Sequence, residues 1–205
     1  MLDAIIDVSH NNGQNLDFAA AKAGGILAVI HKVTQGQGFT DPMYATNRAA
    51  IEAAGLMLGA SHFGDGSDGT VQANRFLAAV GPLSGVPLVL DLEANLTGPV
   101  MTPAQADAFV STIRQRTGRL PIVYTGRWFL GGHVDATLTQ CPLWLPEYGD
   151  DPVLPAGWTN WSLWQFTDGA VGDPPPVAGI GHCDRSRFDG DEAALRAFWA
   201  SASVA

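Results

Sequence analysis

Short apolar runs alternate with alanine-rich helical segments along the chain as far as Tyr124. Runs that are apolar on both faces are typical of strands buried in a parallel sheet. The pattern predicts strands at 4–8, 27–33, 56–63, 87–93 and 120–124, with helices between them at 17–23, 42–54, 71–80 and 102–117. Thr102-Pro103 suits an N-cap and first helical position, and Gly118 suits a C-cap. This order implies parallel strands joined by crossover helices.

The pattern changes after Tyr124, where proline- and glycine-rich loops replace most of the helices. We predict one short helix within 126–138, strands at 143–148, 161–167 and 183–188, and a final helix at 191–200. A total of about eight strands and roughly five or six helices indicates an α/β barrel whose last strands lack full helices. A doubly wound open sheet is the alternative, although no Gly-x-Gly-x-x-Gly motif follows the first strand.

Composition narrows the class of protein. The chain has 205 residues, 46% of them hydrophobic, and a net charge of −9 without a basic block, which argues against nucleic-acid binding and attraction to anionic membranes. No apolar stretch reaches the roughly 18–20 residues that span a membrane. Residues 1–4 lack the features of a signal peptide, so we expect cytoplasmic synthesis or a leader already removed. Cys141 and Cys183 are expected to be buried thiols, with a disulfide left open.

The strand at 87–93 ends in two carboxylates. Because strand side chains alternate between faces, Val89, Asp91 and Glu93 share one face. The opposite face carries Leu88, Leu90 and Leu92. Two neighbouring acids at a buried strand end carry a desolvation and like-charge cost, which a site needing one ionised and one protonated carboxyl would justify.

Other predicted strands also carry polar groups near their ends, where α/β barrels place their active sites. These residues are Asp7, Lys32, Ser61, Asp91 with Glu93, Tyr124, Tyr148, Gln165 and Asp184, with the aromatic Trp144 close by. Carboxylates gathered with aromatic side chains suggest a carbohydrate site, because glycosidases work with paired acids and sugars present apolar faces to aromatic rings.

Several of these residues also have structural readings. Asp184 could pair with Arg185 or Arg187, and Lys32 could neutralise a buried acid. Trp144 could be core packing, and His62 is expected to be a hydrogen-bonded core histidine.

Motifs in this order resemble a known family. They are Ile6-Asp7-Val8-Ser9, Ile30-His31-Lys32-Val33-Thr34-Gln35-Gly36, Gly59-Ala60-Ser61-His62-Phe63, Asp91-Leu92-Glu93, Ile122 with Tyr124-Thr125, Leu143-Trp144-Leu145 with Tyr148, Leu163-Trp164-Gln165-Phe166-Thr167, and Asp184-Arg185 with Phe188. Together they resemble the family-25 glycoside hydrolases, the Chalaropsis-type lysozymes or N-acetylmuramidases common among phage endolysins. The resemblance implies a flattened TIM-like barrel of five β/α units followed by three strands with few helices, and 1–205 is expected to be a single catalytic domain without a separate wall-binding module.

The resemblance also implies roles. Glu93 would be the general acid that protonates the β-1,4 bond between N-acetylmuramic acid and N-acetylglucosamine. Asp91 would orient and stabilise the substrate's own N-acetyl group as that group attacks C1, giving retention without a protein nucleophile. Asp7 and Asp184 would tune this pair or hold the sugar. The supporting or substrate-binding set is completed by Lys32, Ser61, Tyr124, Trp144, Tyr148 and Gln165.

No cofactor or metal is implied, and the expected partner is the glycan strand of peptidoglycan, with no nucleic acid or membrane partner and a monomeric chain. A phage endolysin would wait in the host cytoplasm for holin-mediated release, whereas a protein with a removed leader would be extracellular.

Two positions depart from the family pattern: Gln35 stands where an acid is usual and Ser61 where tyrosine is usual. Because of these two departures, a non-catalytic or altered-specificity glycan-binding barrel remains an alternative hypothesis. A chitinase-like hydrolase is disfavoured because Pro87 and Val89 stand where further acids are expected. A metal-dependent hydrolase is disfavoured because the sequence lacks histidine and cysteine clusters.

Overall fold

The computed structural model describes residues 1–132, 134–149 and 151–204. Residue 133 of the predicted segment 126–138 and residues 150 and 205 of the predicted domain 1–205 lie outside this description. The strands are β1 (Leu2–Val8), β2 (Ala28–Gln35), β3 (Phe39–Thr40), β4 (Met57–Phe63), β5 (Leu88–Asp91), β6 (Ile122–Tyr124), β7 (Leu143–Pro146), β8 (Leu163–Thr167) and β9 (Asp184–Phe188). The helices are α1 (Phe18–Ala23), α2 (Tyr44–Ala53), α3 (Gly69–Val80), α4 (Pro103–Thr117), α5 (Arg127–Leu130) and α6 (Glu192–Ala202), with 3-10 turns at His10–Asn12 and Leu138–Gln140.

The sheet closes into a barrel. Its strand order is β1-β9-β8-β7-β6-β5-β4-β2-β3, and β1 also pairs with β2, so the ring is complete and β3 stands outside it. Within the ring, the neighbouring strands β1, β2, β4, β5, β6, β7 and β8 run parallel, whereas β9 is antiparallel to both β8 and β1. The predicted barrel with five β/α units and three helix-poor strands is confirmed, and the open sheet is wrong.

Three details differ from the sequence-based expectation. The short strand β3 was not predicted, and it forms an antiparallel pair with the end of β2. The predicted strand 87–93 ends early, since β5 stops at Asp91 and Glu93 lies in the following bend. The predicted strand 143–148 likewise stops at Pro146, so Tyr148 lies in a loop. The side chains of Glu93 and Tyr148 are therefore positioned by loops, and the alternation of side chains along a strand does not predict the path of a loop.

Apolar side chains form two layers, one inside the barrel and one between the barrel and the helices. Leu88, Leu90 and Leu92 belong to the outer layer and Val89 to the inner one, so the two faces that the alternation predicted are separate. Helix α6 closes the barrel end opposite the strand rim that carries the polar groups. Its Trp199 is 3% exposed, packs in the inner layer and donates its indole N–H to the Leu58 carbonyl at 3.1 Å.

Helix α4 has the ends that its sequence predicts. Thr102 and Gln105 form a reciprocal capping box, and Gly118 ends the helix in the left-handed conformation with φ of 72°. Helix α3 packs closely against α4 through Gly69, where an added Cβ would lie 2.0 Å from the Gln105 carbonyl oxygen. Within the described residues, no helix is long and apolar enough to cross a membrane.

Candidate active site

The polar strand ends meet in one cavity of about 360 Å³. All the predicted site residues line it: Asp7, Lys32, Ser61, Asp91, Glu93, Tyr124, Trp144, Tyr148, Gln165 and Asp184. The parallel strands bring their carboxyl ends to this rim. Asp184 reaches the same rim from the start of β9 because that strand runs in the opposite direction. In the register of β1 and β9, Asp184 is paired with Asp7.

The turn after β1 also belongs to the cavity; the sequence had placed Ser9 near a strand end but had not placed Asn11 and Asn12 in the site. Ser9, Asn11 and Asn12 also line the cavity and give it a polar margin. The Ser9 backbone N–H donates to Asn12 Oδ1 at 2.9 Å, and the Asn11 backbone N–H donates to Ser9 Oγ at 3.2 Å. A capping box immediately after a predicted strand is a local signal that could have located this turn.

Gln165 organises one wall of the cavity. Its Oε1 accepts hydrogen bonds from the Tyr124 hydroxyl at 2.8 Å and from the Tyr148 hydroxyl at 3.2 Å. Its Nε2 donates to Asp7 Oδ2 at 3.1 Å. Because both tyrosine hydroxyls donate to the amide oxygen, the amide nitrogen is left facing the carboxylate, and the three polar side chains are held in one arrangement.

Trp144 is both a core residue and a part of the cavity wall. It is 3% exposed, lies in the inner core and meets the Tyr124 ring edge-on at a centroid distance of 4.8 Å. Its indole N–H donates to Ser186 Oγ at 2.9 Å. The ring is therefore fixed core that also forms part of the cavity wall.

The acid pair is held in an environment that favours protonation. Asp91 Oδ1 is buried without a hydrogen-bond partner in the described part of the chain. Burial, and then the Glu93 charge, raise the pKa of Asp91 well above its usual value, while Lys32 opposes the rise. Burial and the charge of Asp184 raise the pKa of Glu93. A proton is therefore retained in this pair at higher pH than two exposed carboxyls would allow.

The two further acids share this behaviour. Burial, followed by the charge of Asp184, raises the pKa of Asp7, and the hydrogen bond from Gln165 partly offsets it. Burial and the charge of Asp168 raise the pKa of Asp184 to about 6. The alternative of an Asp184–Arg185 ion pair is not formed, since Arg185 instead pairs with Asp3 at 2.8 Å.

Lys32 supplies the positive charge of the cavity. Its ammonium donates to Gln35 Oε1 at 2.7 Å and lies 4.9 Å from the centroid of the Phe63 ring. Burial lowers the pKa of Lys32, while the charges of Asp91 and other acids oppose this. The neutral Gln35 amide holds the ammonium without neutralising it, so its charge remains available to the acid pair. Ser61 lies beside Lys32 in the register of β2 and β4.

His62 is structural, as expected. It is fully buried, its Nδ1 lies 2.7 Å from Thr34 Oγ1, and its Nε2 lies 2.9 Å from Gln72 Oε1. Burial lowers its pKa to about 4, so the ring is neutral around pH 7. Cys141 and Cys183 are free, buried thiols, as predicted. Across residues 1–132, 134–149 and 151–204, no group of three or more His, Cys, Asp and Glu side chains is arranged to hold a metal ion.

Comparison with known proteins agrees with this geometry. The sequence profile described as Glycosyl hydrolases family 25 matches residues 6–172. An N,O-diacetylmuramidase from Chalaropsis sp is 31% identical over 175 residues, covering 75% of this chain and 83% of the relative. An autolytic lysozyme from Clostridium acetobutylicum is 29% identical over 170 residues, covering 80% of this chain but only 50% of the relative.

A solved structure extends the likeness to the whole fold. The bacterial lysozyme from Streptomyces coelicolor superposes with a TM-score of 0.85 at 27% identity, covering 98% of each chain. The profile match spans most of the barrel and includes the acid pair, and the solved lysozyme shares the fold from end to end. The chain therefore belongs to family 25 of the glycosyl hydrolases.

Proposed function

We propose that the protein hydrolyses peptidoglycan at the β-1,4 bond between N-acetylmuramic acid and N-acetylglucosamine. The observation that carries the proposal is the cavity in which Asp91 and Glu93 stand with two further carboxyl groups of raised pKa. The relatives named as muramidase and lysozymes support the same substrate. The aromatic and amide wall around Gln165 suits a sugar, which offers an apolar face and hydroxyl groups.

Glu93 is proposed as the general acid. Its raised pKa keeps a proton available, and that proton passes to the glycosidic oxygen as the bond from C1 to that oxygen breaks. The carbonyl oxygen of the substrate's N-acetyl group forms the new bond to C1. Water then attacks C1, the bond from C1 to the N-acetyl oxygen breaks to restore the N-acetyl group, and the water gives up a proton to the Glu93 carboxylate, which acts as the base. Two displacements at C1 leave its configuration retained.

Asp91 is proposed to orient the N-acetyl group and to stabilise the positive charge that develops on it. Burial raises the pKa of Asp91 in the free protein. The developing charge on the substrate favours its ionised form, and the Lys32 ammonium acts in the same direction. Asp7, held by Gln165, and Asp184 are proposed to tune the pair and contact the sugar.

The supporting residues are proposed to hold the sugar in place. Burial raises the pKa of both Tyr124 and Tyr148, so their hydroxyls stay protonated and continue to donate to Gln165. Trp144 offers a fixed ring at the base of the cavity. The partners proposed are glycan strands alone, on a monomeric enzyme. The net charge of −9 argues against nucleic acid and anionic membranes as partners.

The test is digestion of purified peptidoglycan, followed by reduction of the new chain ends and mass spectrometry. A muramic-acid reducing end is expected for the wild type. Glu93→Gln is expected to lower the rate about 10²- to 10⁴-fold, because the amide keeps the shape of the side chain but has no acidic proton to transfer. Glu52→Gln is the matched control, since Glu52 is exposed on α2 and its ion pair in the described part of the chain is with Arg48 on the same helix.

Two results contradict the proposal. A glucosamine reducing end would indicate a different bond specificity, and binding without cleavage would indicate a non-catalytic barrel. Full activity in Glu93→Gln, with an unfolding curve like that of the wild type, would refute the role of this residue.

A further inference from the structure

A second groove, of about 700 Å³, adjoins the acid cavity. Glu93, Tyr124 and Tyr148 line both, so the two spaces are continuous at the proposed general acid. Beyond that junction the lining becomes mainly apolar, with the side chains of Val100, Trp128, Phe129 and Pro146. We call this space the Trp128 groove.

Trp128 is exposed to an extent that the fold does not require. Its side chain belongs to the short helix α5 and is 79% exposed. The Arg127 guanidinium stacks on the indole, with 4.2 Å between its central carbon and the ring centroid, and pairs with Glu147 at 3.2 Å. An anchored cation against an exposed aromatic ring gives that ring a defined position. A large apolar side chain held at the margin of an active-site groove is typical of a binding contact.

We propose that the Trp128 groove binds the sugars on the leaving-group side of the bond that is cut. This inference rests on the proposed function. The proton of Glu93 goes to the glycosidic oxygen, which departs with the leaving sugar. The sugar attacked at C1 must place its N-acetyl group at Asp91, which lines the acid cavity and not the groove. The leaving sugar therefore lies on the other side of Glu93, where the groove begins.

The chemistry of the groove favours a sugar over a charged ligand. Apart from Glu93 at the junction, Glu147 is the charged side chain among the described residues that line the groove, and its pairing with Arg127 leaves little free charge for the amines and carboxylates of a stem peptide. The indole of Trp128 suits the apolar face of a pyranose ring, and the Tyr148 hydroxyl stands at the start of the groove. The polar turn of Ser9, Asn11 and Asn12 lines the acid cavity and not the groove, and it remains for sugars on the opposite side of the bond.

The test uses a peptide-free octasaccharide of alternating N-acetylglucosamine and N-acetylmuramic acid, labelled at its reducing end. The variants are Trp128→Ala and Trp128→Phe. Val171→Ala is the control, because Val171 is also exposed, at 44%, and lines neither space. Each substitution is tested in the active enzyme for cleavage position and kcat/KM. Each is also combined with Glu93→Gln to measure Kd without turnover.

Trp128→Ala is expected to weaken binding and kcat/KM about tenfold, and Trp128→Phe to restore most of the loss. The leaving sugars lie toward the reducing end of the strand. Loss of their contact should therefore shift cleavage toward bonds nearer the labelled end, which a general loss of stability would not do. Val171→Ala is expected to match the wild type in all three measurements.

Unchanged cleavage positions and Kd in Trp128→Ala overturn the inference. So does an effect of Trp128→Ala that appears only on strands carrying stem peptides, because the occupant is then the peptide. If the wild type cleaves nothing, the proposed function fails and so does the leaving-group assignment. A Kd that still depends on Trp128 in that case would support a sugar-binding groove in a non-catalytic barrel.

Discussion

Replacing Asp184 with asparagine is expected to stabilise the folded protein above neutral pH. Burial and the charge of Asp168 raise the pKa of Asp184 from the usual 3.8 to about 6. The folded chain therefore holds this proton more tightly than the unfolded chain, and the free energy of unfolding falls as the pH rises from about 4 through about 6. Each pKa unit corresponds to about 1.36 kcal/mol, so the ionised side chain costs up to about 3 kcal/mol once the pH exceeds both values.

The assay is urea unfolding at intervals from about pH 4 to about pH 8. The gain in Asp184→Asn should grow from nearly zero at the acid end to as much as about 3 kcal/mol at the alkaline end. Asp189→Asn is the matched control, because Asp189 is exposed and follows the other end of β9. A gain that is the same at every pH, or a loss of stability at about pH 8, would refute the electrostatic reasoning.

The same variant should change the pH dependence of cleavage. Burial is the main reason for the raised pKa of Glu93, and the Asp184 charge adds to it. Without that charge Glu93 loses its proton at lower pH, so the alkaline limb of the kcat/KM profile should move to lower pH. An unmoved limb would mean that Asp184 does not act on the general acid.

Two further substitutions probe the tuning of the site and the packing behind it. Gln35→Glu places a carboxylate beside the Lys32 ammonium. The new negative charge offsets the positive charge that lowers the pKa of Glu93, so the alkaline limb of kcat/KM should move to higher pH. A shift to lower pH would contradict this. Gly69→Ala puts a Cβ 2.0 Å from a backbone carbonyl oxygen of α4 and should cost about 2 kcal/mol in urea unfolding. Gly38→Ala, with nothing within 4 Å of the added Cβ, should change stability by less than about 0.5 kcal/mol.

The local pattern of the sequence determined a large part of this protein. Alternation along 87–93 predicted that Leu90 and Val89 lie on opposite faces of the strand, and the structure has Leu90 in the outer layer and Val89 in the barrel interior. Thr102 and Gly118 predicted the ends of α4. The sequence also predicted which side chains line the site, because each of them lies at or near the end of an apolar run. These features depend on neighbours in the chain, and side-chain periodicity and capping report such neighbours directly.

Only the tertiary structure decided how those residues meet. Asp184 stands at the start of its strand, and it joins the rim solely because β9 runs antiparallel to its neighbours. The amide of Gln165 links side chains from three other segments, and the bend after β5 carries Glu93 to the junction of the two spaces. The sequence around Trp128 has no pattern that distinguishes an exposed binding residue from a core residue. Strand direction, loop path and side-chain exposure depend on contacts between residues far apart in sequence, and the local periodicity of the sequence carries no information about those contacts.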